Sequence, residues 1–524
     1  MDLFKMKNTL PILILLLVIF SCAKNQVELI EVDYLGQSPP GNTATLFAPG
    51  IVSTDAMEHS APVFSPDGTT VLWTVVPDGF SKPAYFLEMN YERQKWSTPH
   101  RAAFNDSTAD DYYPSFSVDG KTLFFSSRRK LPDGYTQSGD MRIWQVERKQ
   151  NSWGTPVPVD TLISKGREFA HTITRDGNIF FSAGFFSDAL NGKTGWSIHK
   201  ADLAGKKAPT VTRLPYSINS MGYEDGPYIA PDESFLIFES DRPEGLGGTD
   251  LYLSFRSEEG LWSRPVNMGP SVNSTFSERF ARLSPDGKYL FYGSSRDERE
   301  GHPGFDIYWI DASIINELRN SRAASEPIQD QLGESLLTAL DLGHWNEASE
   351  FLEHWLSAHP DDADAVFNYA HVLKKQKKYD QAFQFLSNHE QLFKGKTAYM
   401  MEIALLNIAL GNQETAIQLL APLLADKAQE WNRSIYLSSS LFDMQMFDAS
   451  DDYFKKAMTV NMWSYGYFKR GCSYASLGEQ DRAFENLLLA AENGFTDQQH
   501  FESQPELQSL KSNSRWPHLR SRLK

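Results

Sequence analysis

Two hydrophobic periodicities divide the chain. Up to about residue 312, apolar and β-branched side chains alternate with polar ones in short runs closed by Asp-Gly or Pro-Asp turns, as in VFSPDGTTVLWT at 63–74. Alternation puts every second side chain on one face, so each run predicts a half-buried strand and each turn a hairpin tip. From about residue 329 the pattern changes to Leu, Ala, Gln, Glu and Lys, with apolar residues at helical spacing.

The strand pattern is itself repeated. SFSVDGKTLFFSS, TITRDGNIFFSA, YIAPDESFLIFES and RLSPDGKYLFYGSS follow the first copy, and their turn acids Asp67, Asp119, Asp176, Asp232 and Asp286 stand 52, 57, 56 and 54 residues apart. Each copy reads as four strands. A four-stranded unit at constant pitch predicts a β-propeller, with small sheets arranged radially around an axis. The closing-strand pattern appears as WSTPHRAAF, WGTPVPVD and WSRPVNMG, but the last copy runs from DIYWIDASII into a polar stretch. Its missing strand is expected from ATLFAPGIVST near the start, which would pair with DIYWI and remove an open edge. The S-P-D-G turn followed by F-x-S-S-R, the GGTDLY element and the closing W-x-x-P resemble the TolB-like, WD40-like propeller repeat of bacterial envelope proteins, over residues 40–312. Five blades are counted, with six as the alternative because TolB-like propellers commonly have six.

In the helical half, DLGHWNEASEFL, KQKKYDQAFQFL, ALGNQETAIQLL, DMQMFDASDDYF and SLGEQDRAFENL place Ala348, Ala382, Ala416, Ser450 and Ala483 at spacings of 34, 34, 34 and 33. This register resembles tetratricopeptide (TPR) repeats, each a pair of antiparallel helices touching at the small residue. The array is assigned to 329–496, capping helices to 497–524, and a polar linker to 313–328. The resemblance implies that first helices line a concave groove, at Phe367, His371, Lys374, Lys375, Met401, Leu405, Ile435, Phe442, Tyr465, Phe468 and Cys472. That surface would be apolar with a cationic edge and would suit an amphipathic partner with an acidic end. The same positions also suit core between repeats, and both readings stand.

At the N-terminus, Lys5 and Lys7 precede the apolar run TLPILILLLVIF, too short for a permanent span of a roughly 30 Å hydrocarbon layer but suited to a secretory leader. It ends at IFSC and resembles the lipobox of bacterial lipoproteins. The resemblance implies cleavage of residues 1–21, acylation of Cys22 and a tether over 22–39, on the outer membrane facing the periplasm. With Cys22 modified, Cys472 is the only other thiol, so the fold is expected to rest on packed cores without an intrachain disulfide. A formal charge of −17 argues against nucleic acid as a partner.

Eight residues before each turn acid stands a polar side chain: His59 beside Glu58, then Asp111, Glu168, Glu224 and Glu278. A ring of such groups at a channel mouth could bind a cation or a basic segment. Equally, Arg129, Arg242 and Arg296, ten residues after their turn acids, could neutralise it. The sequence has no G-x-S-x-G, H-E-x-x-H, phosphate loop or zinc-type cysteine cluster, so no metal or cofactor is expected. The expected function is a non-enzymatic, lipid-anchored envelope scaffold that binds a protein or peptide segment through propeller and TPR groove. The alternative is a propeller-channel hydrolase acting on glycans or peptides.

Overall fold

The computed structural model describes residues 34–77, 82–132, 141–149, 152–159, 167–184, 196–203, 210–220, 223–296, 304–320, 336, 339–340, 342–427, 429–496 and 498–523. The leader, Cys22 and the second half of the linker lie outside the described residues.

Five antiparallel sheets form the N-terminal half. The fourth shows the plan: Glu224–Ile229, Phe235–Ser240, Asp250–Phe255 and Val266–Asn267, from the innermost strand outward. Each SxDG turn is built locally. The Ser65, Ser117 and Ser284 hydroxyls donate to the turn carboxylates of Asp67, Asp119 and Asp286, and so do the amides of Thr69, Lys121 and Lys288 at 3.1–3.2 Å. The next turn residue takes a positive φ, which glycine tolerates at 68, 120, 177 and 287. Blade four carries Glu233 there instead, at φ 59.

The ring closes as the sequence predicts. Thr45–Leu46 supplies the outer strand of blade five, with Thr45 opposite Trp309 and Leu46 opposite Tyr308. Part of the expected tether joins the closure. Tyr34 donates to Asp286 Oδ1 at 2.9 Å and packs edge-on against Phe64 and Tyr289. Its ring therefore touches first and last blades together. Beyond the propeller, Ser313–Arg319 is a helix that inserts Ile315 among Ile237, Leu251 and Leu290, so the start of the linker is docked.

The C-terminal half is a stack of helix pairs. Repeats two to five are Ala363–Lys375 with Tyr379–Asn388, Thr397–Ala409 with Gln413–Ala425, Glu430–Asp443 with Phe447–Val460, and Ser464–Ser476 with Gln480–Glu492. Trp345–Ala358 is the second helix of repeat one. The five small residues in register are all buried, which lets each pair approach closely. Gln498–Ser503, Pro505–Leu510 and Trp516–Arg522 cap the array, placing Phe501, Leu510 and Leu519 over Phe468 and Phe484. An uncovered final face would leave this apolar surface in water.

Candidate functional site

The acids singled out in the propeller are buried at the start of the innermost strands. Glu278 accepts the Ser274 amide and hydroxyl, the Ser294 hydroxyl and Arg296 Nη2 at 2.6–3.0 Å. Asp111 receives Arg129 through Nε and Nη2, at 3.2 and 2.6 Å. Burial still raises its carboxyl above the usual range, against the pull of Arg129. Glu168 opens blade three, its amide donating to Met141 O, and its side chain is fully buried. The Glu278 and Asp111 carboxylates thus tie the chain entering their blades to the sheet, and the arginines of blades two and five complete the tie.

Blade one departs from the eight-residue spacing. Glu58, not His59, accepts the Thr54 amide and hydroxyl as Glu278 does those of Ser274. Blade one holds one more residue between this acid and its turn, so counting back from Asp67 lands on the neighbour. Burial pushes the Glu58 carboxyl up to about 8, against the Thr54 hydrogen bonds. His59 faces the axis, where Tyr113 approaches its Nδ1 at 3.2 Å and Phe280 packs at 5.4 Å. Burial, then Arg279, hold its imidazole well below the ordinary value.

The axis itself is filled by aromatics. Tyr113 lies 4.4 Å from Phe280 and 4.6 Å from Phe169, ring centre to ring centre. Tyr113, Gly226 and Phe280 take φ of 55, 61 and 51 at bulges in three inner strands, which turns the Tyr113 and Phe280 rings inward. Beside this plug, Asp225 and Glu239 face one another across adjacent strands, both buried. Asp225 accepts Tyr223 OH at 2.7 Å, and Glu239 Oε2 accepts the Phe280 amide at 3.1 Å. Burial, reinforced by Asp225, raises Glu239 to about 8.

The groove positions of the helical array divide. Met401 and Leu405 are buried against Leu437 and Leu441, as core between repeats. Phe367 packs on Phe393. Phe468 lies under Phe495 at 4.3 Å, with Tyr465 and buried Cys472 in the same cluster; burial pushes the Cys472 thiol up to about 12. Lys374 pairs with buried Glu402 and Lys375 with Asp443, so the expected cationic edge braces repeats two, three and four. His371 is held well below its ordinary value by burial, then by these lysines. Ile435 and Phe442 line a shallow surface cleft with Ser439, Arg470 and Ser473. Arg470 is saturated by Asp451 at 2.8 Å and Ser450 at 2.6 Å, which leaves this cleft weakly charged.

A further surface, not foreseen from the sequence, joins the two halves. Arg242 lies 3.9 Å from its own-blade acid Glu224 and directs Nη1 to Asp364, in the first turn of the repeat-two helix. Its Nη2 donates to Ile218 O at 2.8 Å. Arg264 reaches Asp362 at 2.8 Å, and Lys396 Nζ donates to the Glu244 and Gly245 carbonyls at 2.7 and 3.1 Å. Tyr216, from the chain leaving blade three, is buried among Leu340, Ala365 and Val372 and hydrogen-bonds Asn368. The only hints in the sequence were an aromatic in LPYSIN and an acid opening a repeat helix.

Among the described residues no cluster of three metal-ligating side chains occurs, and no helix is long and apolar enough to cross a membrane.

The comparisons with known proteins follow these two halves. Residues 340–448 match the family model of the anaphase-promoting complex, cyclosome, subunit 3 (ANAPC3). No curated protein matches. Among solved structures, a TolB-type protein of Agrobacterium tumefaciens is similar at 19% identity over 45% of this chain and 69% of its own, with a TM-score of 0.31. MamA is similar at 16% identity over 30% of this chain and 92% of its own, with a TM-score of 0.21. The α-L-arabinofuranosidase of Lactobacillus brevis is similar at 12% identity over 50% of this chain and 91% of its own, with a TM-score of 0.34. The chain is a five-bladed propeller carrying an array of helix pairs, part of which matches a TPR-type family model. Both are architectures that present surfaces to protein partners.

Proposed function

We propose that the protein is a non-catalytic scaffold, anchored through acylated Cys22 to the bacterial outer membrane on its periplasmic side, that binds an envelope protein or peptide segment on its helical array. The observation that carries this reading is the division of the array. Repeats two and three are engaged by the propeller, whereas the Ile435–Phe442 cleft over repeats four and five stays open. The propeller-braced array thereby presents a shallow, partly apolar face against which a partner's apolar side chains can pack. Anchoring would concentrate both modules at a surface, so that weak contacts add. The buried, hydrogen-bonded ring acids support architecture over catalysis, since a hydrolase needs carboxyls that substrate can reach.

The test is photocrosslinking from Ser439 in envelope preparations. A partner captured by the wild type should be lost with Ile435→Lys, and Cys22→Ser should move the protein to the soluble fraction. Capture that ignores Ile435→Lys would defeat the groove assignment; unchanged partitioning would defeat the anchor.

A further inference from the structure

The junction between propeller and array carries more acid than base. Glu224, Asp241, Arg242, Glu244 and Arg264 come from the propeller, and Asp362, Asp364 and Lys396 from the helices. That is five carboxylates against three cations, with Tyr216, Tyr252 and Tyr436 as the neighbouring phenols. Arg242, which would serve one acid in the manner of Arg129 and Arg296, is shared between Glu224 and Asp364. Two carboxylate oxygens, Glu224 Oε2 and Glu244 Oε2, are buried without a hydrogen-bond partner among the described residues. A buried carboxylate oxygen in that condition is costly when charged and cheap when protonated.

We propose that docking of the propeller on the helical array is proton-linked: the Glu224–Glu244–Asp364 cluster takes up a proton as the two halves close, and the halves part more readily once it leaves. This does not depend on the groove assignment or on the anchor. The direction of titration agrees. Burial raises Glu224 to about 7 and, with Asp364 close by, Glu244 to about 8, both from an ordinary 4.5; Asp364 is raised as well, by burial first and then by Asp362. Separated halves return Glu244 and Asp364 to water, where the proton is released in the ordinary carboxyl range, whereas docked halves keep it to about 8 at Glu244; Glu224 lies inside its own blade and stays buried in either state. Docking is therefore strongest at mildly acidic pH and weakens as pH rises through that window, by up to about tenfold per pH unit for one proton.

The experiment uses the full chain with Cys22→Ser, labelled for energy transfer at Glu258→Cys on the propeller and Lys394→Cys on the array, both exposed. The urea concentration at which transfer is lost is recorded from pH 5.5 to 9. The midpoint should fall with rising pH, and Glu224→Gln with Glu244→Gln, which cannot ionise, should make that fall shallower, leaving the part that Glu58 and Glu239 contribute within the propeller. A wild-type midpoint constant over this range overturns the proposal. So does a double variant that titrates like the wild type.

Discussion

Gly226 occupies a place where a single added carbon decides stability. Its φ is +61, and a Cβ there would stand 2.9 Å from Phe280 Cδ1 and 3.3 Å from Glu239 Oε2. The Phe280 ring is buried and packed against Tyr113 and His59. Gly226→Ala should therefore destabilise the propeller by about 2–4 kcal/mol, combining backbone strain with overpacking, as read from the urea midpoint. A second residue-scale expectation concerns pH. Glu239 is raised to about 8 from 4.5, so the unfolded chain gives up this proton first and the folded chain keeps it. This contribution to stability is present below the unfolded value and is lost as pH rises through about 8. Glu239→Gln, whose amide oxygen can still accept the Phe280 amide, should reduce the alkaline loss of propeller stability in pH-dependent urea unfolding. At this scale the sequence was legible where the cause is local. A serine, an aspartate and a glycine within four positions dictate their own turn. The blade-one offset was not legible, because one extra residue moves the equivalent acid from His59 to Glu58 without changing the turn.

Elements repeat for a physical reason that sequence spacing captures. Two helices can cross closely only over a small side chain, so Ala348, Ala382, Ala416, Ser450 and Ala483 mark the crossings and fix the register of the array. Gly471 makes a second close approach: a Cβ there would fall 2.6 Å from Leu487 Cγ and 3.2 Å from the Ala483 carbonyl. Gly471→Ala should push the repeat-five helices apart and cost about 1–3 kcal/mol of overpacking strain, which helical circular dichroism against urea would register. Spacing does not show which groove positions are free, because their neighbours are set by stacking across repeats. Lys374 and Lys375 read as a solvated cationic edge, yet their partners Glu402 and Asp443 come from the next two repeats. Lys374→Ala would strand Glu402, which is 2% exposed. The expected loss is about 3–5 kcal/mol, and Lys374→Met combined with Glu402→Leu should recover most of it, since a buried pair is worth little over an apolar one.

At the scale of the whole molecule, the junction decides whether the protein behaves as one body or two. Neither half's periodicity refers to the other, which is why the sequence suggested a platform and an arm with a polar linker between them. The contacts that join them are single residues at irregular places: Tyr216 in the cluster formed by Leu340, Ala365 and Val372, and Arg264 on the Asp362 carboxylate that also caps the repeat-two helix. A buried aromatic anchor of this kind costs about 3–5 kcal/mol when truncated, and that is comparable to what couples two domains of ordinary stability. With the anchor in place, the array's early repeats should not melt independently of the propeller, because opening them uncovers Tyr216. Calorimetry of the intact chain should accordingly show a dominant cooperative transition. Tyr216→Ala with Arg264→Ala should split it in two, one following the strand signal and one the helical signal, while both halves keep their native spectra at low temperature. Two resolved transitions already present in the wild type would mean that the halves are neighbours without being coupled. An unsplit transition in the double variant would place the coupling at Arg242 and Lys396 instead, and the corresponding substitutions would then have to separate the halves.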